Sequence, residues 1–129
     1  MEASRFEKGL ELLKQIDGEA GQNVIDSLQD ISPDLAKYTI EYPFGDIYAR
    51  KGLDLKSREI ATVAALTALG NCVPQLKVHL NAALNVGCHE EELKEVIIQM
   101  SGYAGFPAAL NGMFAFKEVL AERTANYSN

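Results

Sequence analysis

The sequence predicts an all-α protein, a single-domain helical bundle of about six to seven helices spanning residues 1–129. Three observations predict it. Every long segment repeats its apolar residues with a period near 3.6, and none alternates with the period of two that a half-buried strand needs. Helix-start residues stand just ahead of those segments (Ser4, Ser32, Asp54), and Gly18, Gly70 and Gly87 stand just past their ends. Apolar residues make up 47% of 129, enough for one real core and too short a chain for a second domain.

Ser4 caps a first helix ending near Asp17–Gly18, with Phe6, Leu10, Leu13 and Ile16 as its apolar stripe. A second helix runs from about Glu19 to Asp30 and turns Val24, Ile25, Leu28 and Ile31 inward. In "SPDLAKYTIEY", Ser32 is the N-cap, Pro33 takes the first helical position, and Asp34 lies near the positive end of the dipole. Pro43 and Gly45 interrupt that helix before a short turn over Asp46–Ala49, and "RKGLD" is a loop. Asp54 caps a helix through about Leu69, and Gly70 ends it. Pro74 opens the next helix and Gly87 closes it. Cys88 or His89 starts "HEEELKEVIIQM", whose acidic first turn suits a helix N-terminus. Gly102 and Gly105 break that helix, Pro107 opens a last one ending near Arg123, and the tail "TANYSN" frays.

Charge narrows the function classes. The net charge is −6 with no cluster of Lys and Arg, so nucleic acid and anionic membrane are not expected partners. Two cysteines make neither a disulfide framework nor a four-ligand zinc site, and no metal site is expected. The start, "MEASRFEKGLELLKQIDG", lacks the continuous apolar core of a signal peptide. A reducing cytoplasm is the expected compartment.

Two stretches carry no charge, Ile60–Leu76 and Val96–Phe116. A helix without a polar face has no solvent side to offer. Asn71 and Pro74 interrupt the first stretch; Gly102, Gly105, Pro107 and Asn111 interrupt the second, so neither supplies the roughly 20 unbroken apolar residues of a membrane span. Burial against further copies of the chain is the better reading, with Ala61, Ala64, Ala65, Ala68, Ala104, Ala108 and Ala109 allowing close helix approach.

Polar groups on apolar faces mark the candidate chemistry. Glu59 shares a helix face with Leu55, Thr62, Val63 and Leu66, and a buried carboxylate costs several kcal/mol unless paired or protonated. It is either a structural ion-pair member, with Arg58, Arg50 or a partner chain, or a functional group. In "GNCVPQLKVHLNAALNVG", Cys72, Gln75 and His79 point within about 40° of one direction on a helix. Their neighbours Leu76, Ala82, Ala83 and Val86 are apolar. His79 is either a core histidine bonded to a backbone carbonyl or the floor of a site. The short Gly70–Val73 connection makes the two helices antiparallel neighbours, which lets Glu59 reach His79, fix its tautomer and raise its pKa. Cys88 reads as a small buried residue filling a turn, and His89 as an N-cap substitute. About four helical turns separate Cys72 from Cys88, far beyond the roughly 7 Å that a disulfide spans.

"DIYARKGLDLKSREIATVAALTALGN", "PQLKVHLNAALNVGC" and "EVIIQMSGYAGFPAALNGM" resemble the carboxymuconolactone decarboxylase family, which includes the alkylhydroperoxidase D-like proteins. The resemblance runs from about Ile31 to Val119. It implies an all-helical fold that assembles into trimers or hexamers, with a site where the helices of Glu59 and His79 meet. The peroxidase branch carries a Glu, then Cys-x-x-Cys, then a His four residues on. Cys72 matches the first cysteine and His79 the histidine, while Gln75 stands where the second cysteine belongs and Glu59 is one residue further from Cys72 than usual. "PQLKVH" is similar to the decarboxylase branch.

The implied activity is cofactor-independent decarboxylation of a small unsaturated lactone carboxylate, the lactone serving as its own electron sink. Glu59 and His79 then form a proton relay, Gln75 offers an amide to the oxyanion, and Cys72 lies beside them. Arg50 is the expected carboxylate clamp, with Tyr103 and Phe106 lining the pocket. A thiol-dependent peroxidase or antioxidant protein using Cys72 is the alternative, and a non-catalytic ligand-binding oligomer is the second.

Overall fold

A computed structural model describes residues 2–128, with side chains through Asn126. The described residues form α-helices α1 (Arg5–Asp17), α2 (Ala20–Leu28), α3 (Pro33–Ile40), α4 (Leu55–Leu69), α5 (Val73–Asn85), α6 (Glu90–Ala104) and α7 (Phe106–Ser128), plus a π-helix, Glu41–Tyr48. The fold is all-α. The chain groups into two compact units, Met1–Leu55 and Lys56–Asn129.

In the first unit the caps fall where the sequence puts them. Ser4 Oγ accepts the Glu7 amide at 3.1 Å, and Ser32 Oγ accepts the Leu35 amide at 3.2 Å. Two corrections follow. α2 ends at Leu28, so Ile31 lies past the helix, off its stripe and 78% exposed rather than inward. Pro43 and Gly45 do not interrupt α3, because the chain continues directly into the π-helix. In an α-helix the Pro43 ring would strike the carbonyl four residues back, and the wider π turn relieves that clash. Gly9 and Gly45 let α1 cross the π-helix at backbone distance. A Cβ on Gly9 would collide with the Ile40 carbonyl oxygen, and one on Gly45 with that of Arg5. Arg5 grips Asp46 with Nε at 3.0 Å and Nη2 at 2.6 Å across the same crossing.

The second unit holds one apolar core in which Val63 of α4, Leu76 and Leu80 of α5, Leu93 and Ile97 of α6, and Phe116 and Val119 of α7 are buried. Gly70, at φ +77°, turns the chain out of α4 and lets α5 start three residues later. His89 is the N-cap of α6, and its amide donates to the Glu92 carboxylate at 2.8 Å. Gly102 lies inside α6 and does not break it; only Gly105, at φ +91°, does. α7 runs past Arg123 to Ser128, so residues 124–128 are helical and do not fray, while Asn129 lies outside the described residues. The reason is an anchor. Arg123 Nη1 donates to Asn81 Oδ1 at 3.2 Å and Asn85 Oδ1 at 3.1 Å, tying the end of α7 to α5. Among the described residues no helix is long and apolar enough to cross a membrane.

Candidate functional site

α4 buries one side chain per turn on its inner face: Glu59, Val63 and Thr67. The 3.6-residue period that puts an apolar residue inside at 63 also carries the carboxylate of Glu59 inside. Glu59 is 0% exposed. α5 answers it with His79, the imidazole 16% exposed. His79 Nδ1 lies 2.7 Å from Glu59 Oε1 and 3.1 Å from Oε2. With Nδ1 turned to the carboxylate, Nε2 is the ring nitrogen left for other partners. Only three residues, Gly70–Cys72, connect the two helices.

Cys72 is the N-cap residue of α5 and is part-buried. Its Sγ lies 3.4 Å from the Leu66 carbonyl oxygen. The thiol donates to the last turn of α4, a contact that nothing in the residue pattern announced. Gln75, one helical turn before His79, is exposed. Cys88 is buried, with Sγ 3.7 Å from the Lys56 carbonyl oxygen, and neither cysteine is in a disulfide. Arg50 is exposed and belongs to the first unit, outside the unit that carries the pair. Tyr103 is 83% exposed and Phe106 72%, so within one chain both face solvent. Among the described residues no group of three or more His, Cys, Asp or Glu is arranged to hold a metal ion.

Thr67 is the polar group the sequence reading passed over. It is 1% exposed and its hydroxyl has no hydrogen-bond partner. Its place four residues beyond Val63, on the inner face of α4, was the available signal.

The described pair is a buried carboxylate bonded to an imidazole, carried on two successive helices of an all-α protein. Comparison gives the family. A model of the carboxymuconolactone decarboxylase family matches residues 33–118. The chain is 34% identical over 119 residues to a 4-carboxymuconolactone decarboxylase of Acinetobacter baylyi, covering 92% of this chain and 88% of that one. It is 33% identical over 97 residues to an uncharacterized 15.0 kDa protein of Paracoccus denitrificans, covering 74% and 72% of the two chains. It is 23% identical over 116 residues to a nitrosuccinic acid decarboxylase of Metarhizium robertsii, covering 89% and 80%. The chain belongs to the carboxymuconolactone decarboxylase family.

Proposed function

We propose that this protein is a cofactor-independent decarboxylase acting on a small unsaturated lactone carboxylate, with Glu59 and His79 as its proton relay. The observation that carries the reading is the 2.7 Å contact between His79 and a carboxylate 0% exposed to solvent. In the reaction the bond from ring carbon to carboxylate breaks and CO2 leaves. The electron pair moves through the double bond into the lactone carbonyl, giving a dienolate, which takes a proton on carbon. The lactone itself is the electron sink, so the protein has to stabilise the oxyanion and deliver a proton. His79 Nε2 delivers it. Glu59, buried behind the ring, positions the imidazole. Gln75 offers an amide donor to the oxyanion. The two decarboxylases among the relatives support this chemistry, since a nitro group, like an unsaturated lactone, accepts the electrons that a departing carboxylate leaves behind.

The thiols favour this reading over the peroxidase alternative. The nucleophile of peroxidase chemistry is the thiolate, and Cys72 uses its thiol proton to donate to the Leu66 carbonyl. Free thiols suit a reducing cytoplasm, which we take as the compartment. Self-association into a trimer or hexamer is part of the proposal, supported by the charge-free run Val96–Phe116, which leaves Ile98, Leu110 and Phe114 each more than half exposed. The purified protein is tested in two assays, loss of lactone absorbance and consumption of hydroperoxide with a dithiol. Lactone turnover abolished by His79→Ala supports the reading, and hydroperoxide turnover abolished by Cys72→Ser replaces it with the alternative.

A further inference from the structure

The apolar stripe of α1 is shut at one end and open at the other. Leu13 and Ile16 are 4% and 1% exposed, whereas Phe6, two turns before Leu13, is only part-buried. Ile25 of α2 is part-buried as well. Beside them lies a cavity of about 360 Å³ lined by Phe6, Ile25, Pro33, Ala36 and Lys37, so α1, α2 and α3 of the first unit each supply part of its wall. Four of these five residues are apolar, and Ala36, whose side chain ends at Cβ, leaves the space unfilled from the α3 side. The fifth is a cation. Lys37 is exposed, and its ammonium pairs with no carboxylate among the described residues, although Asp34 and Glu41 stand three and four positions away along the same helical run.

We propose that this cup binds a small amphipathic carboxylate, its apolar body seated on Phe6 and Ile25 and its one carboxylate at the Lys37 ammonium. Size, lining and charge identify the occupant. Ligand sites span roughly 300–1,000 Å³ and combine an apolar lining with a few polar groups that fix orientation, and this cup is a small member of that range with one such group. At the ~30 Å³ that a water takes in the liquid, the cavity has room for a body of about ten non-hydrogen atoms. Phe6 offers a ring against which a flat aromatic body packs. Charge limits the head group. Met1–Leu55 carries eleven Asp and Glu against six Lys and Arg, which is −5 of the chain's −6. In that field one unpaired ammonium selects a monoanion, while a polyanion or the same face of a second copy is repelled. The cup is lined by the first unit alone, and Glu59 and His79 belong to the other, so the proposal does not depend on how that pair is read.

Methyl NMR on the full chain tests this with sodium benzoate as the probe. Benzyl alcohol, the same ring without the charge, and sodium acetate, the charge without the ring, are the controls. Benzoate is expected to shift the Ile25 δ1-methyl resonance saturably, with a Kd on the order of 1–10 mM for so small a ligand. Acetate leaves the resonance in place, and benzyl alcohol moves it more weakly. Lys37→Gln is expected to weaken benzoate about threefold to fivefold, the worth of one exposed ion pair, and to leave benzyl alcohol unchanged. Lys37 is exposed, so the variant keeps its fold, which the unchanged methyl spectrum of the free protein checks. No saturable shift at Ile25 overturns the proposal. So does equal affinity for benzoate and benzyl alcohol, or benzoate binding that Lys37→Gln does not weaken. A shift at the His79 ring signals without one at Ile25 places the carboxylate at the Glu59–His79 pair instead. An Ile25 resonance that moves with protein concentration and no longer responds to benzoate assigns the cup to a second copy. Either result also overturns it.

Discussion

The imidazole of His79 bonds a carboxylate that is shut off from solvent, and that makes its removal costly in a specific way. In His79→Ala, Glu59 keeps its burial and loses its 2.7 Å contact with the ring nitrogen. Breaking a buried pair by removing one partner costs about 3–5 kcal/mol. For a chain of this length ~1 kcal/mol shifts the melting temperature by about 4 °C, so His79→Ala is expected to melt about 12–20 °C lower. Glu59→Gln keeps the shape and an acceptor for Nδ1–H, and its cost is nearer ~1 kcal/mol, the value of one hydrogen bond. The double variant Glu59→Leu/His79→Leu removes both partners at once and is expected to recover most of the loss. Turnover separates from stability in this series. Glu59→Gln stays folded yet loses about 10²–10⁴ in kcat, the usual worth of a positioned acid–base group. Scanning calorimetry and lactone turnover on the same samples read both quantities. A His79→Ala protein melting within about 4 °C of wild type would refute the buried-charge reasoning, since it would put the cost near only ~1 kcal/mol.

Four further outcomes are expected. Thr67→Val removes a buried hydroxyl that has no partner, beside an α7 backbone too close for a water, since a Cβ on Gly112 would lie 2.9 Å from Thr67 Cγ2. It should raise the melting temperature by about 4 °C, the equivalent of ~1 kcal/mol. Gly45→Ala places a Cβ against the Arg5 carbonyl and forces α1 off the π-helix, at a cost of about 1–3 kcal/mol in urea unfolding. The Glu92 carboxyl is held below its ordinary 4.5, first by the His89 amide and then by Lys56. Its contribution is therefore present above 4.5 and lost as pH falls through the lowered value, so acid melts should show Glu92→Gln less pH-dependent than wild type in that range. In a native thiol titration Cys72 reacts and the buried Cys88 waits for denaturant, giving two thiols in total and no disulfide.

Much of the fold is legible in the sequence because it is local physics. Ser4 and Ser32 cap, Gly70 and Gly87 turn, and the 3.6-residue stripe carries Glu59 to an inner face whatever lies opposite. The absence of charge from Val96 to Phe116 is equally a property of the chain. Where the residue pattern misleads, a non-local contact has intervened. Pro43 and Gly45 look like an interruption, yet α1 packs so closely on this segment that the chain stays helical with a widened turn. "TANYSN" looks like a frayed tail, yet Arg123 reaches two asparagines of α5 and α7 continues to Ser128. The site divides the same way. That Glu59 and His79 each sit on an apolar face follows from period and residue type. That His79 Nδ1 stands 2.7 Å from Glu59, that the Cys72 thiol lies 3.4 Å from the Leu66 carbonyl oxygen, and that Gln75 stays exposed depend on how α4 and α5 meet across the Gly70 turn. Periodicity fixes the direction in which a side chain leaves its own helix; the distance to a group on another helix is set only when the two helices dock.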